Sequence, residues 1–167
     1  MKKIVISFFG HRELSDFEKN LAERRLYENL RRFARNAINL QQQIVCYCGG
    51  YGDFDLLVSK TLDRIRQEFW EERFFSLEKC FVTPVVGDEF KKRNEAMLEF
   101  YDRVIYPPVE KTPFERALEK RNAWVAENSD LAVCFVLRPC GNAFSAMRYA
   151  REVMIRGSVI NLAEKIF

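Results

Sequence analysis

Six short apolar runs, Ile4 to Phe8, Ile44 to Cys48, Cys80 to Val86, Arg103 to Tyr106, Leu131 to Leu137 and Val159 to Leu162, punctuate the chain, and the stretches between them carry apolar residues at helical spacing. That alternation limits the fold more than anything else in the sequence. Ile4 to Phe8 is largely apolar and partly β-branched, the pattern of a strand covered on both faces in a parallel sheet. Parallel neighbours cannot be joined by a tight turn; each pair needs a crossover, and the helical stretches supply it with right-handed topology. The predicted class is α/β: a Rossmann-like three-layer fold with a mostly parallel sheet of five to six strands, the first strand at its centre. The 167 residues, 48% hydrophobic and 14% aromatic, are expected to fill one domain, residues 1–167.

The helices announce themselves by caps and stripes. Ser15-Asp16-Phe17-Glu18 is a capping box, and Phe17, Leu21, Leu30, Phe33, Ala37 and Ile38 follow at helical spacing. Arg24, Arg25, Arg31, Arg32 and Arg35 fill much of the remaining surface of this helix. They either bind phosphate or nucleic acid, or form a solvated face paired with Glu18, Glu23 and Glu28; the solvated face is preferred. Val58, Leu62, Ile65 and Phe69 mark a second helix, and Phe90 to Tyr101 a third. Pro107-Pro108 stops the fourth strand. Thr112-Pro113-Phe114-Glu115 is a second capping box, opening a helix whose buried stripe is Phe114, Ala117, Leu118 and Val125. Phe144 to Arg156 is a further helix, ended by Gly157.

Composition narrows the function classes only a little. A net charge of +3 does not call for nucleic acid as a partner, although it leaves one possible. The apolar part of the N-terminus is too short for a signal peptide, and no run reaches the roughly 18 residues of a membrane span, so a cytoplasmic protein without a membrane partner is expected. Cys46, Cys48, Cys80, Cys134 and Cys140 follow no secreted disulfide pattern and are expected to be reduced and buried. Cys46 and Cys48 share one side of a strand, with Tyr47 on the other, and read as buried thiols rather than a zinc knuckle. Cys140, beside Gly141 at a helix start, is better placed for reactivity.

Three loops that follow strands carry glycine with polar residues: Gly10-His11-Arg12, Gly49 to Asp55, and Cys140-Gly141-Asn142. In an open α/β sheet such loops line the ligand crevice, and glycine lets backbone approach a bound anion at a helix N-terminus. Arg121 falls on the buried stripe of its helix and so needs a partner, either a phosphate or a carboxylate such as Asp130. Asn122 and Trp124 lie beside it, and Trp124 reads as core before it reads as a base-stacking platform. His11 is the only histidine, so neither a multi-histidine metal site nor a Ser-His-Asp triad is expected; it should hold its loop or touch the ligand. No metal and no resident cofactor are expected.

These residues in this order resemble the YpsA-like branch of the SLOG superfamily, which also contains the DNA-processing protein DprA and the LOG phosphoribohydrolases. The resemblance is carried by Gly10-His11-Arg12, Gly49-Gly50-x-Gly52-x-Phe54-Asp55, Arg121-Asn122-x-Trp124, Ser129-Asp130, Gly141 and Tyr149-Ala150. It implies a Rossmann-like domain binding a nucleotide or nucleotide-derived ligand, possible forms being ADP-ribose, NAD or a nucleoside phosphate. It assigns Gly10, Gly49, Gly50, Gly52 and Gly141 to close backbone contact, Arg12 and Arg121 to phosphate, and Asp55 to a ribose hydroxyl or to anchoring its loop. The LOG motif Gly-Gly-x-Gly-Thr-x-x-Glu is not matched: Pro139 to Ala146 contains neither the second glycine nor the glutamate, and Asn142 or Ser145 would have to supply the polar contact.

The expected function is nucleotide binding, as a sensor or regulatory protein, with a second copy of the chain, in a homo-oligomer, among the partners considered. An enzyme cleaving an N-glycosidic bond through Asp53 or Asp55 is the alternative, with Asp53 read as a helix cap and Asp55 as the catalytic candidate. Single-stranded DNA binding as in DprA, resting on the arginine-rich first helix, is a third reading.

Overall fold

A computed structural model describes residues 1–85, 87–108 and 114–164, apart from the side chains of Phe114 and Glu115. The capping box at residues 112–115, the place of Phe114 on its stripe and the end of the third run at Val86 lie outside the described residues. Six strands, β1 (Lys2–Gly10), β2 (Gln42–Cys48), β3 (Leu77–Val82), β4 (Arg103–Ile105), β5 (Leu131–Phe135) and β6 (Val159–Asn161), form one sheet in the order β4-β3-β2-β1-β5-β6. Every pairing is parallel. The expected three-layer Rossmann-like arrangement is therefore the observed one, with β1 central. The chain steps outward from β1 to β4, then crosses back to place β5 on the other side of β1. That reversal opens a crevice at the carboxyl ends of the central strands.

Side-chain alternation along the strands divides the core into two layers. Ile6, Phe8, Cys46, Cys48, Val133 and Phe135 face one layer, with Leu26, Leu30, Val58 and Leu62 from α1 (Asp16–Asn39) and α2 (Asp53–Phe69). Phe9, Ala132, Cys134 and Val136 face the other, with Val125, Ala126, Ala146 and Met147 from α4 (Phe114–Glu127) and α5 (Gly141–Val153). Cys46 and Cys48 thus lie on the opposite face from Tyr47, and burial pushes both thiols well up.

The capping box opens α1 as expected: the Glu18 N–H donates to Ser15 Oγ and the Ser15 N–H to Glu18 Oε2. Phe17 is not part of the buried stripe; it is 76% exposed. It sits about 140° around the helix from Ala22, where the stripe through Leu26, Leu30, Ala34 and Ala37 begins. Two arginines of α1 find partners on other elements, while Arg24, Arg32 and Arg35 are exposed. Arg31 and Tyr27 share Glu68 of α2, and Arg25 donates to the Leu162 carbonyl at 2.6 Å. Glu18 pairs with Arg138 instead.

The segment expected as one helix from Phe90 to Tyr101 is broken into α3 (Lys91–Ala96) between two short 3-10 turns. Asn94, fully buried in α3, ties it to the segment after β3: its Nδ2 donates to the Val85 carbonyl at 3.2 Å and its Oδ1 accepts the Thr83 hydroxyl at 2.9 Å. α5 starts at Gly141, three residues before the expected Phe144, and ends at Val153; Gly157 serves the turn that follows. Among the described residues no helix is long and apolar enough to cross a membrane.

Candidate functional site

The ends of β1 and β2, together with α4 and the start of α5, line a cavity of about 270 Å³. Gly10, His11 and Arg12 reach it from β1, Gly49 and Asp55 from the β2 end, Arg121 and Asn122 from α4, and Gly141 and Asn142 from the start of α5. Nine of the twelve sequence-predicted residues therefore meet in one place. Gly50, Gly52 and Ser145 do not line it. Gly50 packs toward Phe81 and Met97, and Ser145 is exposed one turn inside α5. Phe8, Phe9, Tyr47, Cys48, Tyr51, Leu118, Val125 and Ala143 complete the wall, and sequence reasoning did not single them out as site residues. For Leu118 and Val125 the signal was present, because they share the stripe that carries Arg121.

Close packing determines the approach of β1 to α2. A Cβ added at Gly10 would lie 2.1 Å from Cδ1 of Phe54, which is itself fully buried against Phe135. Gly52, with φ +98°, occupies the N-cap of α2 and offers no side-chain acceptor there. The expectation that Asp53 is the cap is corrected by this arrangement. Asp53 Oδ2 instead accepts the Leu14 N–H at 2.9 Å and faces Lys19 Nζ at 3.8 Å, while the Asp53 N–H donates to the Arg12 carbonyl at 2.8 Å. Asp53 binds the first glycine loop to the second and is absent from the cavity wall.

Asp55 faces the cavity. Its Oδ2 accepts the Tyr51 N–H at 2.8 Å, closing the turn that carries Gly49 and Gly50. Burial pushes its carboxyl up to about 6, against the opposing pull of Arg121, the Tyr51 N–H and Arg12. Arg121, only 6% exposed, donates through Nη1 to the Val82 carbonyl at 2.8 Å and the Gly49 carbonyl at 3.3 Å, and through Nε to Asn122 Oδ1 at 2.9 Å. Asp130, the carboxylate considered for it, accepts the Val5 N–H at 2.8 Å instead. Burial lowers the Arg121 pKa, with Asp55 acting in the other direction. Among the described residues Arg121 has no ion-pair partner, so the guanidinium joins the carbonyl ends of β2 and β3 and keeps its charge available to the cavity.

His11 holds its neighbour loop. Its Nε2 accepts the backbone N–H groups of Leu137 at 3.0 Å and Arg138 at 3.1 Å, which assigns the ring proton to Nδ1. Burial, followed by Arg138, lowers its pKa, so the ring is neutral at pH 7. α5 begins at Gly141, with φ +87°, behind Cys140, and no side chain caps it. Its first N–H groups are thus available to an anion. Four of the five cysteines are buried as expected, but Cys140 is exposed, because it stands at the helix cap outside the strands. Trp124 stacks on Tyr47 with ring centroids 5.7 Å apart and packs with the second core layer, as its core reading required.

One buried charge gave no warning in the sequence. Lys79, fully buried in β3, donates to Ser59 Oγ at 2.8 Å and Asp63 Oδ1 at 2.9 Å, and lies 5.0 Å from the Tyr101 ring centroid. Its partners come from α2, so only the packing of α2 on the sheet reveals them.

No protein-family model matches the chain, and no curated protein matches it. Its fold is similar to that of DNA processing protein A from Helicobacter pylori, a protein with a single-stranded DNA binding mode, at a TM-score of 0.54 and 13% identity over 90% of this chain. The chain spans 61% of the length of that protein. The molybdenum cofactor carrier protein of Chlamydomonas reinhardtii aligns over 97% of this chain and 92% of its own, at 11% identity and a TM-score of 0.44, and carries no weight at that value. At 13% identity the likeness to DNA processing protein A shows a shared fold, in keeping with the parallel α/β arrangement described above.

Proposed function

We propose that this chain binds a nucleotide or nucleotide-derived ligand by its phosphate in the cleft between the ends of β1 and β2 and the start of α5. In this reading it is a sensor or regulatory protein of the YpsA-like branch. The observation that carries the proposal is the convergence of Arg121, Arg12 and the uncapped start of α5 on one cavity. A buried guanidinium without an ion-pair partner among the described residues is completed by a bound anion, and helix N–H groups suit the same anion. The cavity of about 270 Å³ is close to the small end of ligand sites, roughly 300 Å³, which matches a mononucleotide or the phosphate-bearing half of a larger ligand. Phe9, Tyr47, Leu118 and Val125 offer an apolar wall for a base. Calorimetry with ADP-ribose, NAD and AMP tests this. At least one is expected to bind, with affinity about a hundredfold weaker in Arg121→Ala; absence of binding by all three at millimolar concentration sinks the proposal.

The second reading, cleavage of an N-glycosidic bond, is favoured by one observation: Asp55 lines the cavity with a carboxyl pushed up to about 6, suited to proton exchange or to stabilising an oxocarbenium-like centre. Release of free base from nucleotides, abolished in Asp55→Asn, is its signature. Single-stranded DNA belongs in the same ligand panel, since the fold is shared with DNA processing protein A and Arg24, Arg32 and Arg35 are exposed on α1. Oligonucleotide retention that weakens with salt marks that reading, and no retention at low salt removes it.

A further inference from the structure

Asp55 and Arg121 both line the cavity and both grip the turn at residues 49–51, yet they form no ion pair with each other. The carboxylate is held by the Tyr51 N–H, while the guanidinium is held by the carbonyls of Gly49 and Val82 and by Asn122. Resting on the reading that an anion binds between Arg12 and Arg121, we propose that this cleft couples anion capture to proton uptake, Asp55 being ionised in the empty cleft and protonated when the anion is bound.

The argument is electrostatic. Asp55 is faced by Arg121 from α4 and by Arg12 from the loop after β1, and these two charges offset part of the cost of holding a carboxylate away from water. The other titratable groups that face it are Tyr51 in its own loop, Cys48 at the end of β2 and Tyr101 before β4; burial pushes all three up, so they stay neutral. His11 shares the cavity but is neutral, with its Nε2 engaged by two N–H groups. An anion on Arg12 and Arg121 neutralises the charges that support the Asp55 carboxylate, adds a negative charge beside it and displaces water. With the carboxyl already at about 6, a further rise takes it through neutral pH. The proton comes from solvent or buffer and goes to Oδ1, since Oδ2 keeps its hydrogen bond from Tyr51.

Two probes that do not titrate near neutrality, ADP-ribose and inorganic sulfate, are titrated into the protein calorimetrically between about pH 6 and pH 8. Affinity is expected to rise as pH falls, approaching tenfold per pH unit. At pH 7 the observed enthalpy is expected to differ between two buffers by the number of protons taken up multiplied by the difference in their protonation enthalpies, a readout that needs no variant. Asp55→Asn, which keeps an acceptor for the Tyr51 N–H, is expected to flatten the pH dependence and to bind more tightly than the parent protein at pH 8. Affinity independent of pH, proton release, or an unchanged slope in Asp55→Asn overturns the coupling. Proton-linked sulfate binding without binding of ADP-ribose, NAD or AMP keeps the coupling and removes the nucleotide reading; no binding of sulfate or of any of the three nucleotides overturns both.

Discussion

The loop at residues 49–52, after β2, and the loop at residues 136–140, after β5, both deliver a glycine to the start of a helix beside the same cavity, but they are held by different means. The β2 loop is tied from several directions: Asp55 takes the Tyr51 N–H, Arg121 takes the Gly49 carbonyl, and the next residue, Asp53, is bonded through its N–H to Arg12 and through its carboxylate to Leu14. The β5 loop is tied at its root, where His11 accepts two N–H groups and Arg138 reaches the Glu13 carbonyl. Beyond that root it is open: a Cβ at Gly141 would meet nothing within 4 Å, and no side chain caps α5. One wall is satisfied by the protein itself, and the other leaves donors for something else. A ligand anion therefore has more to gain from the β5 wall, and the β2 wall sets the position of the charges it meets there.

The comparison is broken most severely at Gly10, the glycine that the β2 side depends on for packing. Gly10→Ala would drive a methyl group into Phe54, and we expect a loss of at least about 3 kcal/mol, read as a large drop in melting temperature. A Gly10→Ala protein that melts like its parent would show that the two walls are equally tolerant.

Asp55→Asn is expected to change stability in the opposite direction. The carboxyl is held at about 6 in the folded protein against 3.8 ordinarily. The folded state thus binds its proton more tightly than the unfolded chain between those values, and stability falls as pH rises through that window. Above it the penalty is fully present, so at pH 8 the variant should be more stable by about 3 kcal/mol, with no gain below pH 4. Denaturant melts at the two pH values check this; a gain that persists at low pH would assign the effect to something other than the buried charge.

Gly141→Ala meets no neighbour, and the cost comes from φ +87° alone, about 1–2 kcal/mol. The same variant should weaken anion binding, because relief of the strained backbone moves the first N–H groups of α5. Stability and affinity falling together is expected here, whereas a change in stability alone would remove α5 from the anion site. Asp53→Asn gives the smallest effect, less than about 1 kcal/mol by thermal melt, since its pairing with Lys19 is partly exposed and an amide can still accept the Leu14 N–H.

Much of the fold could be read from local pattern. Ser15 and Glu18 meet within one helical turn, so the capping box needed nothing but its own residues. The stripe Val58, Leu62, Ile65 and Phe69 is buried throughout for the same reason. The convergence of three glycine loops followed from parallel topology, which places the ends of β1, β2 and β5 side by side. Phe17 misled because helical spacing alone does not say which face is covered; the position of α2 against α1 decides that. The Asp53 assignment failed where Gly52 took the cap and the Leu14 N–H, far away in sequence, offered a better partner.

The sequence by itself determined the alternation of strand and helix, the parallel sheet, the caps and stripes, and the group of residues from which a cleft could be made. These features depend on neighbours three or four positions apart along a helix or two along a strand. Only the tertiary structure decided which carboxylate faces the cavity, that Arg121 grips carbonyls and not Asp130, and that Lys79 is buried against Ser59 and Asp63. Such partners are separated by tens of residues, and hydrogen bonding and desolvation, which fix their state, act through space and leave no periodic mark on the chain.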